Sequence, residues 1–140
     1  MNKYVITIAI VALFLFGLFV YARTNNTQKE LSDIAINEDR NFQIINPEVF
    51  DEMLARKDFV LIDVHIPEQV HIEGTDAVIP YNSILENSLL PKDKNAKIVL
   101  YCRSGSMSVV AARSLVDAGY TNIYDLAGGK NAYNEFVKDK

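Results

Sequence analysis

The sequence predicts an α/β fold, a mainly parallel central sheet with helices on both faces, preceded by one N-terminal hydrophobic helix. Three observations predict it. Phe59-Val60-Leu61-Ile62-Asp63-Val64 and Lys97-Ile98-Val99-Leu100-Tyr101 are almost continuously apolar, as strands covered on both faces are. Stretches with helical apolar spacing alternate with such strands, the order that builds crossovers between parallel strands. A long uncharged stretch, residues 4–22, stands apart at the N-terminus.

That stretch runs from Tyr4 to Ala22, between Lys3 and Arg23. As a helix its nineteen residues span about 28 Å, close to the hydrocarbon thickness of a bilayer. Tyr4 and Tyr21 sit at its ends, where amphipathic rings favour the membrane interface. Val20-Tyr21-Ala22 also resembles a signal-peptide cleavage site. Residues 1–22 therefore read as a transmembrane anchor or a signal peptide, and both alternatives stay open. Either way the domain is expected outside the cytoplasm, anchored in the periplasm or at the cell surface, or soluble there if cleaved after Ala22. Lys3 and the terminal amine balance Arg23 and Lys29, so the positive-inside rule decides little. Residues 23–41 read as a polar linker, with Leu31, Ile34 and Ile36 forming at most a weak helical turn. Residues 42–140 are about the size of one compact domain.

Within the domain, Phe42-Gln43-Ile44-Ile45 is a strand. Asn46-Pro47-Glu48 starts a helix, with Asn as N-cap, Pro at the first position and an acid in the first turn. Val49, Phe50, Met53 and Leu54 form its apolar face, and it ends near Lys57. The Phe59–Val64 strand follows, then a loop over 65–76 that holds Pro67 and Gly74. Ala77-Val78-Ile79 is a short strand stopped by Pro80. Residues 82–90 are a short helix closed by Pro91. After the Lys97–Tyr101 strand, a helix over 108–118 turns Val109, Ala112, Leu115 and Val116 inward and ends at Gly119 as its C′ residue. Residues 122–126 are a strand, Gly128-Gly129 is a turn that needs freedom in φ and nothing more, and residues 131–137 are a final helix.

Cys102 is the only cysteine. It stands where a buried strand gives way to Arg103-Ser104-Gly105-Ser106-Met107-Ser108 and then to a helix. Ligands in such folds bind at the carboxyl ends of strands. The order strand, glycine-bearing loop, helix aims several backbone N–H groups and the positive end of a helix dipole at one sulfur. A cysteine so placed is expected to have a lowered pKa and to act as a nucleophile. Gly105 and the serines argue for an accessible thiol rather than a packed one. The loop suits a thiolate, a persulfide or a small oxyanion, with Arg103 as a cation at its rim. No histidine is placed by sequence to act as its base. A lone thiol has no internal disulfide to form.

Other classes fit poorly. A net charge of −4, with no basic stripe, argues against nucleic acid as a partner. One cysteine and two scattered histidines fall short of a zinc site, so no bound metal is expected. A phosphatase or arsenate-reductase loop would need Arg six positions after the cysteine to grip an oxyanion, and that position is Ser108.

Four motifs, in order and at normal spacing from Phe42 onward, resemble those of a single-domain rhodanese, a sulfurtransferase. They are Leu61-Ile62-Asp63-Val64, then His71-Ile72-Glu73-Gly74 with Ala77-Val78-Ile79-Pro80, then Tyr101-Cys102-Arg103-Ser104-Gly105-Ser106-Met107-Ser108, then Gly119-Tyr120 with Leu126-Ala127-Gly128-Gly129. The resemblance implies Cys102 as catalytic residue and residues Arg103, Ser104, Gly105, Ser106, Met107 and Ser108 as substrate-binding, with Asp63 and His71 as structural support. It implies cofactor-free ping-pong transfer of a sulfane sulfur through a Cys102 persulfide. The donor would be thiosulfate or a persulfide, and the acceptor cyanide or a thiol, a protein thiol included. The chain departs from the family pattern at Met107, often Arg or Thr, at His65, usually Arg, and at Tyr133, which stands where a late Trp is usual. The alternative function is a non-catalytic binding module of the same fold displayed at the membrane.

Overall fold

The structure is a computed structural model that describes residues 16–21 and 41–140. The chain divides into two compact units, Met1–Asp39 and Arg40–Lys140. In the first, residues 16–21 are helical, with Phe16, Leu18, Phe19, Val20 and Tyr21 exposed. Among the described residues no helix is long and apolar enough to cross a membrane. The rest of the expected anchor or signal, and nearly all of the linker, lies outside the described residues.

The second unit is built on five parallel strands, β1 (Gln43–Ile45), β2 (Val60–Asp63), β3 (Ala77–Val78), β4 (Ile98–Tyr101) and β5 (Ile123–Leu126). They lie side by side in the order β1-β5-β4-β2-β3. The register pairs Val60 with Ile98 and Asp63 with Tyr101 across β2 and β4, and Ile98 with Ile123 across β4 and β5. Strand β4 is therefore central, and all four of its residues are buried. Burying each such side chain contributes roughly 1.5–3 kcal/mol.

Alternation along β4 splits the core into two layers. Ile98, Leu100 and Cys102 pack on one face with Ile62, Val64 and Ile84. Val99 and Tyr101 pack on the other with Leu61, Phe50 and Phe59. Helices α1 (Pro47–Ala55) and α3 (Gly129–Lys138) cover the Tyr101 face, through Phe50 and Tyr133, whose rings meet edge to face at 4.9 Å. Helix α2 (Ser106–Asp117) and a 3-10 helix (Tyr81–Glu86) cover the Cys102 face.

Local chemistry accounts for the start of α1 and the end of α2. The Asn46 side chain accepts the Val49 amide at 2.9 Å, an N-cap worth about 1 kcal/mol. Helix α2 closes on Gly119, at φ 89°. Its amide donates to the Val116 carbonyl at 2.8 Å, and the Tyr120 amide to that of Leu115 at 3.0 Å. These two bonds satisfy carbonyls that a helix end leaves open.

Four details differ from expectation. Val49 is exposed, and Phe50 alone is fully buried in α1, because one turn of a short helix presents a narrower face than four apolar residues suggest. The segment expected to be helical over 82–90 is 3-10 over Tyr81–Glu86, with a break at Ser83. Helix α2 begins two residues early, at Ser106, because Gly105 caps it at φ 95°, a conformation that glycine adopts without strain. Its buried face is Ser108, Ala111, Ala112 and Leu115, with Val109 and Val116 only half-buried, since small side chains let α2 sit close to the sheet.

Candidate active site

Cys102 is the first residue beyond β4, at the carboxyl edge of the sheet centre. Its side chain continues the alternation of Ile98 and Leu100, so it enters the layer beneath α2 and is 1 % exposed. The expected open thiol is thus corrected. Gly105 and the serines shape the turn and do not leave the sulfur in solvent. The chain then passes Arg103 and Ser104, both exposed, and enters α2 at Ser106.

Among the described residues two donors meet the sulfur. The Gly105 amide donates to Cys102 Sγ at 3.1 Å, and the Ser108 hydroxyl lies 3.8 Å from it. Both come from the capped end of α2, where the helix dipole favours negative charge. The ring of several amides expected on the sulfur itself is therefore narrower, one amide and one hydroxyl. Ser108 is completely buried, and its single hydrogen has a second acceptor, the Gly105 carbonyl at 3.1 Å. Ser106 and Met107 belong to the first turn of α2, Ser106 exposed and Met107 half-buried against the core.

The far side of the loop is held by α3. The Lys130 amide donates to the Cys102 carbonyl at 2.9 Å, and the Asn131 amide to the Arg103 carbonyl at 3.0 Å. Gly129 makes this approach possible, because a Cβ there would stand 2.4 Å from the Cys102 carbonyl oxygen. Gly129, expected with Gly128 to serve only as a turn, is thus a contact on the loop. Its sequence signal, two glycines at the mouth of a helix, was visible, but the contact joins segments far apart in the chain.

Asp63, expected with His71 as structural support, pairs across β2 and β4 with Tyr101, the residue before the cysteine. The Asp63 carboxyl is buried and accepts the His65 amide at 3.0 Å, the Gln69 side-chain amide at 3.1–3.2 Å and His71 Nδ1 at 2.8 Å. The hydrogen bond to Asp63 raises the His71 pKa above its ordinary value. Partial burial opposes the shift, and Glu68, 3.4 Å from Nε2, adds to it. The 65–76 loop is also tied to the residue before the cysteine. The Ile72 amide donates to Tyr101 Oη at 3.0 Å, Tyr101 Oη meets Thr75 Oγ1 at 2.7 Å, and Thr75 donates to the Ile72 carbonyl at 2.7 Å, closing a ring. Burial pushes the Tyr101 phenol up to about 12, so it stays a donor. His65 is buried and does not join this cluster through its ring. A cavity of about 640 Å³ lies between α1, the 65–76 loop and α3, lined by Leu54, Ile72, Tyr133 and Val137, and Cys102 is not part of its wall. Among the described residues no group of three His, Cys, Asp or Glu side chains is placed to hold a metal ion.

Comparison with known proteins agrees with this architecture. A thiosulfate sulfurtransferase GlpE from Pseudoalteromonas translucida is 28% identical over 92 residues, covering 64% of this chain and 86% of that protein. A sulfurtransferase from Allochromatium vinosum is 34% identical over 90 residues, covering 61% and 81%. In an adenylyltransferase and sulfurtransferase of Candida albicans, 28% identical over 108 residues, the match spans only 24% of the longer protein. Among solved structures, a rhodanese-related protein from Thermoplasma volcanium superposes with a TM-score of 0.57 at 24% identity, over 67% of this chain and 92% of its own. A family model described as a rhodanese-like domain matches residues 46–136, well over half of the sequence, and by that match the chain belongs to the rhodanese-like domain family.

Proposed function

We propose that this protein is a sulfurtransferase that carries a sulfane sulfur from thiosulfate or a persulfide, through a Cys102 persulfide, to cyanide or a thiol. One observation supports the reading most: the lone cysteine sits at the carboxyl end of the central strand with its sulfur accepting an amide from the cap of α2, at 3.1 Å. In the first step the Cys102 thiolate attacks the outer sulfur of the donor. The Sγ–S bond forms, the donor's S–S bond breaks, and its electron pair leaves with sulfite or a thiolate. In the second step cyanide or an acceptor thiolate attacks the outer sulfur of the persulfide, and the Cys102 thiolate departs. No external oxidant or reductant enters. Negative charge on the outer sulfur, about 2 Å beyond Sγ, is met by the loop from Arg103 to Ser108, in the manner of an oxyanion hole. Met107 supplies no cation where a dianionic donor would use one, which favours a persulfide over thiosulfate as donor.

The test is thiocyanate formation by the full chain with each donor, beside Cys102→Ala. Activity in the first and none in the second supports the reading. Equal activity in both, or none in either with every donor tried, overturns it. The near-complete burial of Cys102 favours a second reading, a binding module that performs no transfer. A wild-type protein that never acquires sulfur from any donor would decide for it. On the first reading the domain works outside the cytoplasm, held or delivered by residues 4–22. Fractionation of cells expressing the full chain tests this, and a purely cytosolic pool would contradict it.

A further inference from the structure

Gly129 is buried at the first position of α3, at φ 58°. A Cβ on it would stand 2.4 Å from the Cys102 carbonyl oxygen, 2.9 Å from the Arg103 carbonyl carbon and 3.0 Å from the Arg103 oxygen. Comfortable carbon–oxygen contacts lie at about 3.3–3.6 Å. All three atoms are backbone, so no side chain can rotate out of the way, and relief requires the loop to retreat by about 1 Å. The next two amides of α3 hold the same two carbonyls, Lys130 at 2.9 Å from Cys102 and Asn131 at 3.0 Å from Arg103. These amides belong to the first turn and have no partner within the helix.

The consequence follows from the planarity of the peptide bond. In a trans peptide the carbonyl of one residue and the N–H of the next point in opposite directions. Fixing the Cys102 and Arg103 carbonyls on α3 turns the N–H groups of Arg103 and Ser104 away from α3. Those two N–H groups belong to the loop that must meet charge added beyond Sγ. The Lys130 side chain extends the clamp by donating from Nζ to the Val70 carbonyl of the 65–76 loop.

We propose that Gly129, with the Lys130 and Asn131 amides, is a positioning element of the Cys102 loop that sets the direction of its free N–H groups. The proposal rests on Cys102 being the sulfur-transfer nucleophile. Gly128 supplies a matched control. It too has positive φ, 69°, but a Cβ there would meet the Ala132 Cβ at 2.7 Å, inside α3, and not the loop. The experiment compares Gly129→Ala and Gly128→Ala in the full chain by three readouts: kcat and KM for sulfur transfer, the rate of Cys102 alkylation by iodoacetamide, and Tm.

The expected result is similar Tm in the two variants, a fall in kcat of about 100-fold for Gly129→Ala, the scale of a 1 Å misplacement, and an alkylation rate that moves only in Gly129→Ala. Equal kcat in the two variants, or losses that merely track Tm, overturn the proposal. Alkylation reads the loop whether or not sulfur transfer is the reaction. If no donor works even with wild type, equal alkylation rates in the two variants overturn the clamp, and a rate altered only in Gly129→Ala upholds it. Should Gly129→Ala fail to fold, replacing Asn131 by its α-hydroxy analogue, which puts an ester oxygen in place of the backbone N–H, decides. It deletes the N–H on the Arg103 carbonyl and keeps the side chain. A loss of tenfold or more in kcat, or in the alkylation rate where no donor works, supports the clamp, and the wild-type rate refutes it.

Discussion

Ser108→Ala isolates a side-chain hydrogen bond that reaches the reactive sulfur. The Ser108 hydroxyl is fully buried and carries one hydrogen for two acceptors, the Gly105 carbonyl at 3.1 Å and Cys102 Sγ at 3.8 Å. With a neutral acceptor such a bond contributes about 1 kcal/mol, and with a charged one about 1.5–3 kcal/mol. The hydrogen therefore turns to the sulfur whenever the sulfur carries charge. The differential, about 1 kcal/mol, is close to a fivefold change in rate. The Gly105 carbonyl keeps the Val109 amide at 3.2 Å, so folding loses little when the hydroxyl is removed. The prediction is a five- to tenfold fall in the rate of persulfide formation, with urea-unfolding free energy lowered by about 1 kcal/mol or less. Rapid-quench measurement of persulfide formation, set beside urea titrations, checks both numbers. An unchanged rate would refute the argument, and so would a rate loss matched by equal unfolding.

Three more outcomes follow from the same geometry. Tyr101→Phe opens the ring that joins Ile72 and Thr75 and leaves the Ile72 amide without its acceptor. The cost is about 1–3 kcal/mol, or roughly 4–8 °C of Tm per kcal/mol for a domain of this size, and an unchanged melting curve would contradict it. His71 has its pKa raised in the folded state, chiefly by Asp63. The stability it contributes is thus fully present below its ordinary value of 6.5 and is lost as pH rises through the folded-state value. Tm followed from pH 6 upward should show a decline in wild type that His71→Gln lacks, and parallel curves would exclude the effect. Met107→Arg places a cation in the first turn of α2 and should lower KM for thiosulfate about tenfold relative to a persulfide donor. Equal effects on both donors would show that charge at this position does not select the donor.

Sequence reasoning succeeded where local chemistry decides. Asn46-Pro47 marked a helix start because capping and a fixed proline φ need only neighbouring residues. The apolar runs over residues 59–64 and 97–101 mark β2 and the central β4, which are adjacent, because burial on both faces leaves no polar alternation. Asp63 and His71 are each legible as structural support, but their hydrogen bond to one another is not, because it depends on how the 65–76 loop folds back on β2. What stayed hidden depends on approach between distant segments. The burial of Cys102 follows from how closely α2 packs, through Ser108, Ala111 and Ala112, on the strand that precedes it. The role of Gly129 depends on β5 delivering α3 to the back of the cysteine loop, which no spacing in the sequence encodes.

The central claim is that Cys102 takes up a sulfur atom and gives it away. Intact-mass measurement of the full chain after exposure to a persulfide or thiosulfate donor tests it most directly. The account predicts that wild type gains the mass of one sulfur, located on Cys102, and loses it again on addition of cyanide or a thiol. A Cys102→Ser protein that gains the same mass, or a folded wild-type protein that gains none from any donor, would contradict it.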